Sequence, residues 1–418
     1  MASMWVFSLV FLTNPLTTIN IQHYIMKRYT VLSISLFSFF VLLLSSCRKD
    51  IANVEDAQSY VGDSFSDVFE SYWNGMNNNY VFWSIDTTNW DAMYTRYKPL
   101  FSGLDINKTA DQQKAASYFR AMSSGLIDSH YNLSFTSSTN VADSSVDPAY
   151  DRKVKAGLLH THYVFYDYDA ENYLDEGYVS GKDTINTLDG SPTEAIAGTI
   201  NGKILYLGFN QFNLKASYEA NDKNGVKKVL QYFLGILRNP PTGFKGVVID
   251  VRGNGGGSVY NLNFLVGNLI GSKVTIGATR YKNGNGRLDY TPWVDAVITP
   301  QSGSTAVTVP IVAIADVWSV SLAEITAMAI HSLPTGHVVG ETTWGANGPL
   351  ADNQEFNAGQ FTAAGFVSVY TSSSIFRYKD GNIYEGKGFP PDYPVPFKLS
   401  DFQTQGDKQL EQALQLMQ

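Results

Sequence analysis

The stretch "GVVIDVRGNGGGS", Gly246–Ser258, decides the fold. Val247, Val248 and Ile249 run apolar into Asp250, Val251 and Arg252, and the chain then enters a loop of glycines with almost no side chains. A short continuous apolar run bounded by such a loop reads as a strand buried on both faces. Its neighbours extend the pattern. "GKILYLGF" (202–209) is a strand and "VKKVLQYFLGIL" (226–237) a helix. After the glycines come "VYNLNFLVGNLI" (259–270) as a helix, "VPIVAIAD" (309–316) as a strand and "LAEITAMAIHSL" (322–333) as a helix. Strands alternating with helices imply βαβ units, so residues 199–400 are expected to form an α/β core, a parallel or mixed sheet covered by helices.

Upstream, the pattern changes twice. In "YVGDSFSDVFESYWNGMNNNYVFW" the residues Phe65, Phe69, Tyr72 and Met76 recur at helical spacing. Further helices are expected in "NWDAMYTRYKPLF" and "TADQQKAASYFRAMSSGL", which gives a helical subdomain over 61–140. Residues 141–198 read as a β-rich segment, with "HYVFYDY" and "GYVSG" as strands and "LDGSP" as a turn. A helix is expected over 401–418.

The N-terminus reads as an address. Met26–Cys47, "MKRYTVLSISLFSFFVLLLSSC", has a basic start, an apolar stretch and small residues before a cysteine, which is the layout of a secretory signal. Leu44-Ser45-Ser46-Cys47 resembles a bacterial lipobox. Cys47 is the only cysteine in the chain, so no disulfide forms within it, and lipidation of Cys47 is expected. Residues 1–25 read as an upstream segment without structure, and 48–60 as a linker. The 418 residues are 44% hydrophobic and 13% aromatic, a globular composition. A formal charge of -8 argues against a nucleic-acid partner.

Three chemistries compete for the glycine loop. A phosphate-binding P-loop ends in Gly-Lys-Ser/Thr, and this loop has no lysine. A dinucleotide fingerprint needs a third glycine where Ser258 stands, and an acidic residue about 20 positions on, which is absent. The third is an oxyanion hole, because backbone N–H groups of glycines approach a reacting carbonyl without a Cβ between. A plain strand-to-helix turn is the non-catalytic reading. Ser321 stands where a second buried strand gives way to an amphipathic helix carrying Leu322, Ile325, Ala329 and Leu333. A serine there is either a nucleophile at a helix N-terminus or the N-cap of a capping box with Glu324. Ser319 is the competing hydroxyl.

At this point the chain resembles a family. "GVVIDVRGNGGG", then "SVSLAEI", then "GHVVGETTWGANG" look like the S41 peptidases, the C-terminal processing, tail-specific and tricorn-type serine proteases. "FESYWNGMNNNYVFW", "NWDAMYTRY" and "MSSGLIDSHYNLSF" look like the helical N-terminal region of the tricorn-like branch, and "EGKGFPPDYPV" (385–395) like its terminal signature. The resemblance runs from about 60 to 400, weakest over 140–198, where at most a degenerate PDZ-like module is expected. It departs from the processing proteases at one place. Their lysine base would fall at Ala346, and no lysine lies between Ser321 and Lys379. The tricorn-type branch uses a histidine instead, which Ser129-His130 matches, and a glutamate before the terminal signature, which Glu385 matches.

The resemblance therefore implies Ser321 as nucleophile and His130 as base, with Ser129 or Glu385 orienting the base. The oxyanion would lie between the N–H of Gly256, or of Gly257, and that of Leu322. A histidine of ordinary pKa, about 6.5, predicts an acid limb of activity between roughly pH 6 and 7.5. Asp128 reads as a solvated loop acid, Arg252 as a brace for the loop and Glu324 as a cap partner. His331 lies too far down its helix to be the base, and His160 and His162 read as a strand surface rather than a metal site. The expected activity is that of a lipid-anchored cell-envelope serine endopeptidase acting on polypeptides, with no metal or organic cofactor. The alternative is an inactive binding protein on the same scaffold, holding a peptide or an apolar ligand.

Overall fold

The computed structural model describes residues 62–136, 141, 145–188, 190–284, 286–350 and 359–418. The signal-like segment, Cys47 and the linker lie outside the described residues. Among the described residues, no helix is long and apolar enough to cross a membrane.

The core is a seven-stranded mixed sheet. From one edge it runs β14 (Tyr393–Pro394), β10 (Gly336–Gly340), β9 (Ile311–Ala315), β6 (Gly246–Asp250), β5 (Ile204–Phe209), β4 (Ser191–Ile200) and β3 (Val179–Leu188). The five strands from β14 to β5 pair in parallel, while β4 and β3 are antiparallel to their neighbours. Period-two alternation explains why β6 is apolar throughout. Val247 and Ile249 face a layer that includes α7 (Gly225–Arg238) and α9 (Leu322–His331). Val248 faces the opposite layer with Tyr166, Ala170, Leu410 and Ala413. Those four belong to α5 (Phe165–Asn172) and α11 (Lys408–Gln415). The C-terminal helix expected over 401–418 is two short ones, α10 (Leu399–Gln405) and α11, separated at Gly406, whose φ of 84° a glycine accepts without strain.

The N-terminal helices α1 (Phe65–Asn79), α2 (Trp90–Phe101) and α3 (Thr109–Ser123) form where the spacing predicts them. Their buried stripe is aromatic: Phe65, Phe69, Tyr72, Trp90, Phe101 and Phe119 share one cluster. That cluster closes on a four-stranded sheet in the order β11 (Gln360–Ala363), β12 (Val367–Tyr370), β1 (Asn132–Phe135), β2 (Ser145–Val146). Half of its strands come from 360–370, so the 61–140 region is completed by a chain segment more than 200 residues away. A third sheet, β13 (Ser374–Tyr378), β7 (Val274–Tyr281) and β8 (Val294–Ile298), has no counterpart in the sequence reading.

Residues 141–198 differ in detail from that reading. "HYVFYDY" ends not in a strand but in helix α5, because Phe165, Tyr166, Asp169 and Ala170 are buried at helical spacing. A further helix, α4 (Pro148–Lys155), precedes it. The expected "GYVSG" strand opens β3, and a turn is seen at Gly190, just before β4. This hairpin is the edge of the core sheet.

Candidate active site

The glycine loop is anchored at its root by a buried charge cluster. Arg252 Nη2 lies 2.6 Å from Asp250 Oδ2 and 2.9 Å from Asp169 Oδ2, and its Nη1 lies 2.6 Å from Asp407 Oδ2. Its guanidinium stacks 4.0 Å from the Phe165 ring. Arg252 is thus the brace expected, tying β6 to α5 and α11. Removing one partner of such a buried set costs about 3–5 kcal/mol, because the remaining charges stay buried uncompensated.

Beyond the root, the backbone crosses to the serine loop. Gly253 N–H donates to Asp316 Oδ1 at 3.0 Å, and Val320 N–H donates to Asn254 O at 2.9 Å. Gly256 has φ 91°, and a Cβ there would stand 2.7 Å from Ser321 Cβ and 2.9 Å from Leu322 N. Only glycine fits that approach. The Gly256 N–H is already committed to Asn254 Oδ1 at 2.9 Å. Among the described residues, the N–H groups of Gly257 and Leu322 have no protein acceptor. Of the two donors left open above, Gly257 is therefore the one able to face a substrate.

Ser321 caps α9 with φ 58° and ψ -117°, a positive-φ conformation that a non-glycine residue adopts at a cost of about 1–3 kcal/mol. Its N–H donates to Glu324 Oε2 at 3.0 Å. Ser319 is fully buried, with its hydroxyl donating to Val251 O at 2.7 Å and accepting from Asp316 N–H at 3.0 Å. It ties the two loops together and offers no exposed hydroxyl.

Glu324 does more than cap. Fully buried, it also accepts from Thr343 Oγ1 at 2.5 Å, Gly345 N–H at 2.5 Å and Ala346 N–H at 2.7 Å. Glu385 takes the next two amides, Asn347 N–H at 2.7 Å and Gly348 N–H at 2.8 Å. Its other oxygen accepts from Ser129 N–H at 2.7 Å. Four successive amides of "TWGANG" are thus shared between two carboxylates, one on the serine helix and one beside His130. Trp344 closes the same gap, its N–H on Ser319 O at 3.0 Å and its indole N–H on Ser129 O at 3.4 Å. Burial raises the pKa of both glutamates, that of Glu385 further through the nearby charge of Asp128.

His130 stands just before β1. Its Nε2 is shielded from solvent and has no hydrogen-bond partner among the described residues. Burial pushes its pKa down to about 4. Neither expected orienter touches the ring: Ser129 Oγ donates to Ile127 O at 3.4 Å, and Glu385 binds backbone amides. Asp128 is not the solvated loop acid expected. It is fully buried, because its carboxylate accepts His130 N–H at 2.9 Å, Ser372 N–H at 2.8 Å and Ser372 Oγ at 2.9 Å. Burial nevertheless pushes its pKa up to about 6. Ser372 Oγ in turn lies 3.4 Å from His130 Nδ1. The sequence gives no cue to Ser372 beyond a run of hydroxyls, "TSSS", between two strands.

Asp128, His130 and Glu385 each bring one potential ligand atom within 4.8 Å of the others. Every carboxylate oxygen of the two acids already accepts a backbone N–H or a hydroxyl. The other histidines stand elsewhere. His160 Nε2 meets Glu341 Oε2 at 2.9 Å and His162 Nε2 meets Gly253 O at 3.0 Å, both from irregular chain rather than the strand expected. His331 bonds Tyr378 and Asp392. Ala346 is fully buried, and the ammonium near this loop is that of Lys153 on α4, 5.0 Å from the Trp344 ring centroid.

A mixed α/β sheet whose loops bring a strained serine at a helix start against a glycine loop defines a class, the α/β folds with a hydrolase-like site. Residues 203–395, a little under half of the chain, match the model of peptidase family S41. The carboxy-terminal processing protease CtpA of Bacillus subtilis is 27% identical over 160 residues, 38% of this chain. The match spans about a third of that relative, 32% of its length. A crystal structure of a candidate peptidase from Parabacteroides merdae shares the fold, with a TM-score of 0.61 at 22% identity, over 85% of this chain and 97% of that one. Mature CPAF shares it at a TM-score of 0.55 and 12% identity, over 85% and 97%.

Proposed function

We propose that the chain is a serine endopeptidase that cleaves polypeptides in the cell envelope, of the tricorn-like type without a Ser-Lys dyad. Ser321 Oγ attacks the scissile carbonyl, and His130 Nε2 takes its proton and passes it to the leaving amine. The oxyanion forms between the N–H groups of Gly257 and Leu322. One observation carries this reading: two free amides flank a strained serine that a glycine loop approaches to the limit of contact. A structural turn has no use for that strain. Labelling by a fluorophosphonate probe, with the adduct located by mass spectrometry, tests it. An adduct on Ser321 is expected. Absence of labelling together with absence of peptide hydrolysis at any pH would replace this reading with that of a binding protein on the same scaffold.

The oxyanion assignment has its own test. In Gly256→Val the added carbons collide with Ser321 Cβ and Leu322 N and force the loop from φ 91°. The donors move although neither belongs to residue 256. Turnover should fall by about 10²–10³ at least. Near-normal turnover in a folded variant would place the oxyanion elsewhere.

The envelope location rests on the sequence of Met26–Cys47. Cys47→Ser should move the protein from the membrane pellet to the soluble fraction after cell lysis. A variant that stays in the pellet would mean that Val31–Leu44 persists as an uncleaved span.

A further inference from the structure

We propose that Ser372, held by Asp128, is the positioning residue that fixes the tautomer of His130. The inference rests on the reading of His130 as the base and adds the group that makes it one.

The assignment follows from counting protons. The Ser372 hydroxyl has one proton, and it points to Asp128 Oδ1 at 2.9 Å. Its lone pairs are then what it offers to His130 Nδ1, 3.4 Å away. Nδ1 must therefore be the donor, and the imidazole proton sits on Nδ1. The lone pair is left on Nε2, the atom with no partner among the described residues. That is the tautomer a general base needs. The 3.4 Å separation is long, and such bonds are commonly long in substrate-free sites and tighten in the reacting complex.

The carboxylate is itself held in place. Asp128 grips the same two residues through their backbones, accepting His130 N–H at 2.9 Å and Ser372 N–H at 2.8 Å. Three contacts thus lock the imidazole to the segment between β12 and β13. Ser129 Oγ makes no bond to the ring among the described residues; it donates to Ile127 O at 3.4 Å. In the reaction the Ser321 Oγ–carbon bond forms as the Oγ proton passes to Nε2. The imidazolium then carries protons on both nitrogens, with its Nδ1–H still on Ser372. When the carbon–nitrogen bond breaks, the Nε2 proton leaves with the amine. Nδ1 keeps its proton throughout, so the relay orients and does not transfer.

The test reads the tautomer directly. The full chain labelled with [15N]histidine contains six histidines, and comparison with His130→Gln assigns the signals of residue 130. At neutral pH, long-range 1H–15N correlations should show Nδ1 protonated and Nε2 bare in the wild type. Ser372→Ala should lose that single tautomer and lower kcat roughly 10²-fold, as loss of a well-set general base does, with KM little changed. Ser372→Thr, which keeps the hydroxyl, should restore both. An Nε2–H tautomer in the wild type overturns the proposal, and so does a Ser372→Ala protein that keeps the Nδ1–H form. The wild-type measurement needs no variant to fold. It needs no turnover either, so a chain that holds the Nδ1–H tautomer yet cleaves nothing would sink the peptidase reading and leave the relay standing.

Discussion

Ser321→Ala should yield a folded protein that takes no fluorophosphonate label and hydrolyses peptides about 10⁶-fold more slowly than wild type, the scale on which removal of a serine nucleophile acts. The substitution deletes one oxygen and leaves the glycine loop, the helix start and His130 in place. Backbone geometry supplies an internal control. Alanine at φ 58° bears the same strain as serine, whereas glycine bears none. Ser321→Gly should therefore be as inactive as Ser321→Ala and yet melt at a higher temperature, by an amount matching about 1 kcal/mol or more. A site under selection only for stability would not keep a serine there. Retained turnover in Ser321→Ala would end the assignment, and a lower melting temperature in Ser321→Gly would remove the strain argument.

The second large effect is on pH dependence. A base must be neutral to accept a proton, and burial holds the His130 pKa down at about 4. The neutral form is then complete above about pH 5, and kcat/KM should fall only as pH drops through 4. The acid limb expected from the sequence, between 6 and 7.5, assumed an unperturbed ring, and the shielded Nε2 removes that assumption. The sign for stability agrees. With the folded pKa below the unfolded value near 6.5, the unfolded chain binds the proton first, so stability falls as pH drops from 6.5 towards 4. Asp128, pushed up to about 6 by burial, acts on stability in the opposite sense: its folded form binds the proton first, so it adds stability as pH drops from 6 towards 4, a contribution that Asp128→Asn should remove. His130→Ala should lose the limb at 4 together with most of the rate. A wild-type limb centred at 6.5 would mean an open, solvated ring. Full activity in His130→Ala would pass the role of base to Lys153, since Lys379 is occupied at Ser332 O, 3.2 Å away.

Much of this was readable in one dimension. β6, β9, α7 and α9 carry clean apolar periods, and the loops at the strand ends carry the glycine run and Ser321. Local pattern was enough there because each element's burial is decided by its immediate neighbours. It failed where burial is decided from afar. The "YVFYDY" run has strand composition, but Arg252 and Phe402 draw Phe165 and its neighbours into a helix against the sheet. Asp128 looked like a loop acid because its partner Ser372 lies 244 residues on. The β11–β12 hairpin and the third sheet are short strands of mixed polarity, legible only through the partners they meet. Ser129 and Glu385 stand beside the histidine as the resemblance implied, but what they hold is backbone, and the contact to the ring comes from a hydroxyl no motif marked.

The loop "TWGANG" has a consequence for how the molecule fails. Leu322, next to Ser321, belongs to the core built on the seven-stranded sheet, whereas Tyr131, next to His130, belongs to the aromatic layer of the N-terminal helices. The amides shared between Glu324 and Glu385 lie where these two layers of one compact unit meet. If the proposed mechanism holds, activity gauges how these two layers meet: a lesion deep in the aromatic layer, touching nothing reactive, should lower the turnover of the proposed peptidase.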